Sequence, residues 1–148
     1  MLPKIAGIIC ALPATRPICC RLAKRHGCIS FPSGYRTVTP RIVVDDVDAQ
    51  LDFFRTVFAA HVDVEAGRPA EVHLGDSTIL VSAATERDAF AAYLYVYVDD
   101  ADAAYARAIA AGATTVEAPL DTPYGDRRAM VVDSHGNVFQ IAHQIRPE

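Results

Sequence analysis

Hydrophobic and polar positions follow one pattern twice along the chain. Thr39 to Ala49 reads T-P-R-I-V-V-D-D-V-D-A, and Tyr93 to Ala103 reads Y-L-Y-V-Y-V-D-D-A-D-A, a displacement of 54 residues. In each copy an extended apolar segment ends at Val44 or Val98. Asp46 or Asp100 follows, where a side-chain oxygen can accept the first unpaired N–H groups of a helix. Asp48 or Asp102 then falls in the first turn, where negative charge complements the helix dipole. Val47, Leu51, Phe54 and Phe58 form an apolar stripe at helical spacing, which predicts a helix to about Ala60. Ala101, Tyr105, Ala108 and Ile109 do the same for a second helix, with Gly112 as its natural C-terminal stop. Short strands are expected at about 62–66, 70–74 and 77–83 in the first copy, and at about 114–118, 127–133 and 137–143 in the second. Tight turns at Gly75-Asp76 and Gly136-Asn137 close the last two strands of each copy. Those turns lie 61 residues apart, so the second copy is about seven residues longer, and the extra length is assigned to a loop from Pro119 to Asp126. The architecture is α+β, a βαβββ unit repeated. One unit cannot bury both faces of its own sheet, so the two must share a core.

Before residue 38 the pattern stops. Pro3, Pro13, Pro17 and Pro32, with Gly7, Gly27 and Gly34, interrupt any helical or alternating period. Charge divides at the same point. Residues 1–37 hold six basic residues and no acid, whereas residues 38–148 hold eight basic residues and all 18 acids, a net of −10. All four cysteines, at 10, 19, 20 and 28, fall in the basic segment without a C-x-x-C pair. Residues 1–37 therefore read as a disordered extension, with a targeting segment or a metal or redox element as alternatives. Residues 38–148 form the folded domain, module one at about 38–84 and module two at about 92–145. A body this acidic disfavours nucleic acid as a partner. No apolar run reaches the ~18 residues of a membrane helix.

Three stretches carry a family resemblance: Val44-Asp45-Asp46-Val47-Asp48-Ala49-Gln50-Leu51-Asp52-Phe53-Phe54, the segment Val98 to Gly112, and Pro123-Tyr124-Gly125-Asp126-Arg127-Arg128 leading to Asp133-Ser134-His135-Gly136-Asn137. Together the chain resembles the vicinal oxygen chelate superfamily of glyoxalase I, extradiol dioxygenases and bleomycin-resistance proteins, over about residues 38–145. The resemblance implies paired modules forming an open, curved mixed sheet around a cavity, with the helices on the outer face. It also implies one divalent metal held by first-strand and last-strand residues of each module. Those positions fall at Thr39, Tyr93, Ile79 and Gln140. One carboxamide among these offers no divalent site, so no metal and no cofactor is expected. Glu71 and His73 share a strand face and read as its polar side, while His61 and His143 stand alone and His135 sits in a closing turn.

What lines the cavity is read from alternation. Tyr93, Tyr95 and Tyr97 point one way along their strand and Leu94, Val96 and Val98 the other. With Thr39, Arg41 and Val43 as the matching set of module one, the expected ligand-binding residues are Thr39, Arg41, Tyr93, Tyr95, Tyr97, Gln140 and Tyr124, the last as a lid. Tyrosine faces suit a flat aromatic ligand, Gln140 can orient it, and Arg41 can pair with an anionic group. The expectation is a small-molecule-binding protein similar to the antibiotic-sequestering members, acting by sequestration. The alternative is a lyase, isomerase or dioxygenase with an atypical or metal-independent site. No nucleophile motif of the G-x-S-x-G type and no phosphate-binding glycine loop is present. A homodimer in the cytoplasm, with a small molecule as partner and neither nucleic acid nor membrane, completes the expectation.

Overall fold

The computed structural model describes residues 32, 34–85 and 87–145. The reading of the N-terminal segment as a disordered extension falls outside these residues except at its end. There Tyr35 donates its hydroxyl to Glu71 at 2.6 Å and Arg36 pairs with Asp76. Both modules belong to one compact unit, Phe31–Glu148. No helix among the described residues is long and apolar enough to cross a membrane.

Module one runs β1 (Arg41–Val44), α1 (Val47–Phe58), β2 (His61–Asp63), β3 (Ala70–Leu74) and β4 (Ser77–Ala83). Module two repeats the order as β5 (Tyr93–Tyr97), α2 (Ala101–Ala110), β6 (Thr114–Asp121), β7 (Asp126–Val132) and β8 (Val138–Gln144). Both helix starts follow the expected chemistry. Asp46 accepts from Ala49 N at 3.0 Å and Asp100 from Ala103 N at 3.0 Å. The helix ends differ. Gly112 follows α2 with a left-handed backbone, φ 91°, whereas α1 ends on Ala59 at φ 53°, a conformation an alanine adopts only with strain.

Each module makes its own four-stranded mixed sheet, in the order β1-β4-β3-β2 or β5-β8-β7-β6. The first and last strands pair in parallel and the other neighbours antiparallel. The sheets are open, and β1 and β5 each lie at an edge. Two sequence expectations need correction here. The extra length of module two is not a loop from Pro119 onward: β6 continues to Asp121 through two register shifts against β7, so only residues 122–125 turn. The module-one counterpart of Gln140 is Leu80, not Ile79. Arg41 pairs with Leu80 as Tyr95 pairs with Gln140, while Ile79 points into the core, 5% exposed.

One core serves both modules, as the repeat requires. Ile42, Val44, Val72, Ile79 and Val81 of the first sheet, Val131, Phe139 and Ile141 of the second, and the buried faces of both helices form a single cluster. Phe139 on β8 sits against Phe53, Phe54 and Phe58 of α1, with ring centroids 5.3–5.6 Å apart. On α2 the buried positions are Ala101, Ala104 and Ala108, small enough for α1 and the second sheet to approach closely. Two polar ties cross the modules: Arg107 Nε donates to Val57 O at 2.9 Å, and buried Asn137 Nδ2 donates to Gln50 Oε1 at 2.9 Å.

Candidate functional site

Core packing sends Leu94, Val96 and Val98 toward the helices. Strand alternation then turns Tyr93, Tyr95 and Tyr97 onto the opposite face of the second sheet. They stay 59%, 41% and 64% exposed. These rings are nonetheless held. Tyr95 and Tyr97 lie with centroids 5.1 Å apart, and both hydroxyls donate to Asp126 Oδ2, at 3.0 and 2.8 Å. Tyr93 reaches Met130 Sδ at 3.8 Å.

Asp126 is itself fixed by its turn. Thr122 Oγ1 donates to Asp126 O at 2.9 Å and accepts from Asp126 N at 2.9 Å, and Gly125 at φ 93° lets the chain reverse. Asp126 is only 7% exposed, and two phenols take the place of water at its carboxylate. The consequence appears in the phenols. Burial, followed by the hydrogen bond to Asp126, pushes Tyr95 well above the usual tyrosine range. Tyr97 is raised chiefly by its hydrogen bond to the same carboxylate. Both hydroxyls therefore stay protonated as donors through neutral pH.

Around this pair the same face carries Gln140 and Arg128. Register places Gln140 between Tyr95 and Met130. Arg128 forms two short bonds to Glu117 Oε2, at 3.1 and 2.6 Å, and donates a third to the Tyr124 hydroxyl at 2.9 Å. Tyr124 is thereby steadied on a loop where it is 63% exposed. A cavity of about 750 Å³ runs along the β5 edge, lined by Leu94, Val96 and Val98 as well as Tyr95 and Tyr97, and by Phe58, Leu74 and Pro40 of module one; Tyr93, Tyr124, Asp126 and Gln140 do not line it. That volume is within the range of small-molecule sites.

Five of the seven expected residues thus belong to module two: Tyr93, Tyr95, Tyr97 and Gln140 on its sheet and Tyr124 on the turn between β6 and β7. The structure does not bring Thr39 and Arg41 to them. Thr39 donates to Arg36 O at 3.2 Å, and Arg41 lies on the first sheet with Nε on Ser82 Oγ at 3.0 Å. Asp126 and Arg128 fall in the stretch Pro123–Arg128 that carries the resemblance but have no binding role there, and nothing in the sequence singles out Glu117 and Met130 for binding. Asp126, Arg128 and Met130 alternate, which marks them as one face, but nothing local ties that face to tyrosines some thirty residues earlier. Two histidines read as isolated are not. His61 stacks on His73 with centroids 5.9 Å apart, and His143 Nδ1 accepts from Ala101 N at 2.9 Å, capping α2.

The donor set at the metal positions of the resembled superfamily reads Thr39, Leu80, Tyr93 and Gln140. Leu80 has no donor atom, and the rest supply two hydroxyls and a carboxamide without imidazole or carboxylate. That set does not fit a divalent ion.

Residues 41–142 match the family model described as Glyoxalase-like domain. An uncharacterized protein of Mycobacterium bovis is 28% identical over 130 residues, covering 74% of this chain and 84% of its own length. An uncharacterized protein of Mycobacterium tuberculosis is likewise 28% identical, covering 74% and 75%. Among solved structures, TioX from Micromonospora sp. ML1 superposes with a TM-score of 0.64 at 22% identity, over 73% of this chain and 98% of that one. A glyoxalase/bleomycin resistance protein/dioxygenase family enzyme from Burkholderia phytofirmans PsJN gives 0.61 at 26% identity, over 71% and 95%.

Proposed function

The chain belongs to the glyoxalase-like domain family, and from that premise we propose that it binds a flat aromatic small molecule on the tyrosine row of module two and acts by holding it. One observation carries this reading. Three tyrosines project from an edge strand, 41–64% exposed, with two pinned upright by a buried carboxylate. Exposed rings that are already ordered have lost their rotamer freedom before a ligand arrives, so stacking costs little further entropy. Each stacked pair adds ~0.5–1.5 kcal/mol beyond the area buried. Gln140, with a donor and an acceptor, supplies direction in the middle of the face.

The test is a panel of planar heteroaromatic fragments followed by quenching of tyrosine fluorescence. Fragments that quench the wild-type chain should lose affinity in Tyr93→Ala and Tyr95→Ala. Unchanged binding in both variants would remove the tyrosine row from the reading.

Asp126 favours a second reading. One carboxylate oxygen shared by two phenols is an arrangement through which a proton can move, as an isomerase or lyase without metal would require. Turnover that survives a chelator and is lost in Asp126→Asn would select it.

A second copy of the chain is part of the proposal. Val98 N donates to Ala142 O and Ala92 O accepts from Val138 N. Backbone groups of residues 94 and 96 therefore also face β8, and those of Tyr93, Tyr95 and Tyr97 face outward, unpaired, along the cavity. A homodimer covering this edge, working in the cytoplasm, fits these groups. Sedimentation should give twice the 16.0 kDa chain mass, and a monomer at every concentration would refute it.

A further inference from the structure

The polar side of β3, where Glu71 and His73 alternate with Val72, meets a matching pair on β2. Register sets His61 opposite His73 and Asp63 opposite Glu71. Two carboxylates directly opposed across a strand pair repel. Glu71 has compensation of its own on Oε1, from the Tyr35 hydroxyl at 2.6 Å and from Arg68 at 3.5 Å. Among the described residues the ionic partners of Asp63 are histidines alone: His61 Nε2 at 3.1 Å on one oxygen and His73 Nε2 at 3.1 Å on the other. None of the four superfamily metal positions takes part.

Hydrogen bonding decides where the lone pairs lie. Thr78 Oγ1 gives its one hydrogen to Gly34 O at 2.8 Å. Toward His73 Nδ1, 3.2 Å away, it can therefore only accept, and Nδ1 carries a hydrogen. A neutral imidazole so fixed turns the lone pair of Nε2 toward the Asp63 carboxylate. Two acceptors 3.1 Å apart repel unless a cation lies between them. Holding the far ring N–H on an oxygen is also how metal-ligating histidines are oriented. Around Zn2+, with bonds of ~2.0–2.2 Å, neighbouring donors lie about 2.9–3.4 Å apart. Both Asp63 separations fall in that range, and Glu71 Oε2 stands 3.9 Å from His73 Nε2 as a further donor.

We infer that His61, Asp63 and His73, with Glu71 beside them, bind one divalent ion of the Zn2+ class, and that the ion clips β2, a three-residue edge strand, to β3. Among the described residues no three donors already surround one point. Closing the set takes a turn of His61 and Asp63, whose side chains are 74% and 61% exposed. The inference is independent of the tyrosine row, which lies on the other sheet. The probe is Zn2+ alone, titrated by calorimetry into the full-length chain with its four cysteines alkylated, so that no thiolate competes. One equivalent should bind, shift the imidazole proton signals of His61 and His73, and raise the melting temperature, because an ion held by the folded chain stabilises it. His61→Ala and Asp63→Asn should each weaken binding by at least about tenfold, the loss already typical when a residue that only supports a ligand is removed. Absence of binding would mean that a proton alone separates His73 from Asp63, and would overturn the site. Affinity unchanged in either variant, confirmed folded by its melting curve, would overturn it as well. Mg2+ binding as tightly as Zn2+ would overturn the role of the imidazoles, since a hard ion prefers oxygen donors.

Discussion

Asp126 decides what the tyrosine row can do. A buried carboxylate with two phenols on one oxygen takes O–H donors in place of water, and accepting those bonds favours the protonated phenols. The folded chain therefore keeps protons on Tyr95 and Tyr97 where an unfolded chain releases them, near pH ~10. Stability from this arrangement is fully present below that pH and is lost as pH rises above it, since the unfolded state then binds fewer protons. Alkaline titration of phenol absorbance should show three tyrosines ionising late: Tyr35, which donates to Glu71, and the two on Asp126. In Asp126→Asn Tyr97 should move back toward the ordinary range and Tyr95 should fall less, because burial leads its shift, with thermal stability less sensitive to alkali. If Tyr97 still ionises late in that variant, the carboxylate is not what holds it. None of this was legible locally. The alternation of Tyr93, Tyr95 and Tyr97 told which face they share, but the residue that organises them is two strands away in the sheet.

At the scale of elements, the sequence spoke clearly where local chemistry decides the outcome and poorly where pairing does. Both aspartate caps, the α1 stripe and the stop at Gly112 follow from spacing, because a helix end must satisfy its own N–H groups, whereas the α2 stripe shifts: Ile109 stays 38% exposed and Ala104 is buried in its place. The end of β6 did not follow. Pro119 and the polar run after it look like a loop, yet β7 supplies partners as far as Asp121, and the bulges absorb the misfit. Ile79 shows the same limit: a one-residue error in register moves a side chain from the open face to the core. The end of α1 offers a direct test. Ala59 holds φ 53°, a conformation that costs a non-glycine residue roughly 1 kcal/mol or more. Ala59→Gly should thus raise stability by about 1 kcal/mol, a shift of several degrees in melting temperature for a domain this size. Chemical denaturation would check it, through a higher midpoint at unchanged slope. A destabilised variant would mean the left-handed turn is not populated.

For the whole molecule, duplication explains why neither module is a separable piece. Each sheet presents an apolar face that its own short helix covers only in part, and α1 closes the gap by packing three phenylalanines on a strand of the other module. The Gln50–Asn137 bond lies in the same seam, and there an unsatisfied amide would cost about 1–3 kcal/mol. Two modules with separate cores would unfold in two steps, whereas a shared core requires one. Hydrogen exchange should accordingly give β4 and β8 the same protection, set by global unfolding. Phe139, fully buried where the modules meet, tests the argument most severely. Phe139→Ala removes the ring from three aromatic neighbours and should cost ~3–5 kcal/mol, a large part of the ~5–15 kcal/mol available to a domain. Because the core is common to both modules, protection should fall equally in β4 and in β8. A loss confined to module two would show that the repeat is two folds in series, and the cavity along β5 would then lose the fixed wall that module one provides.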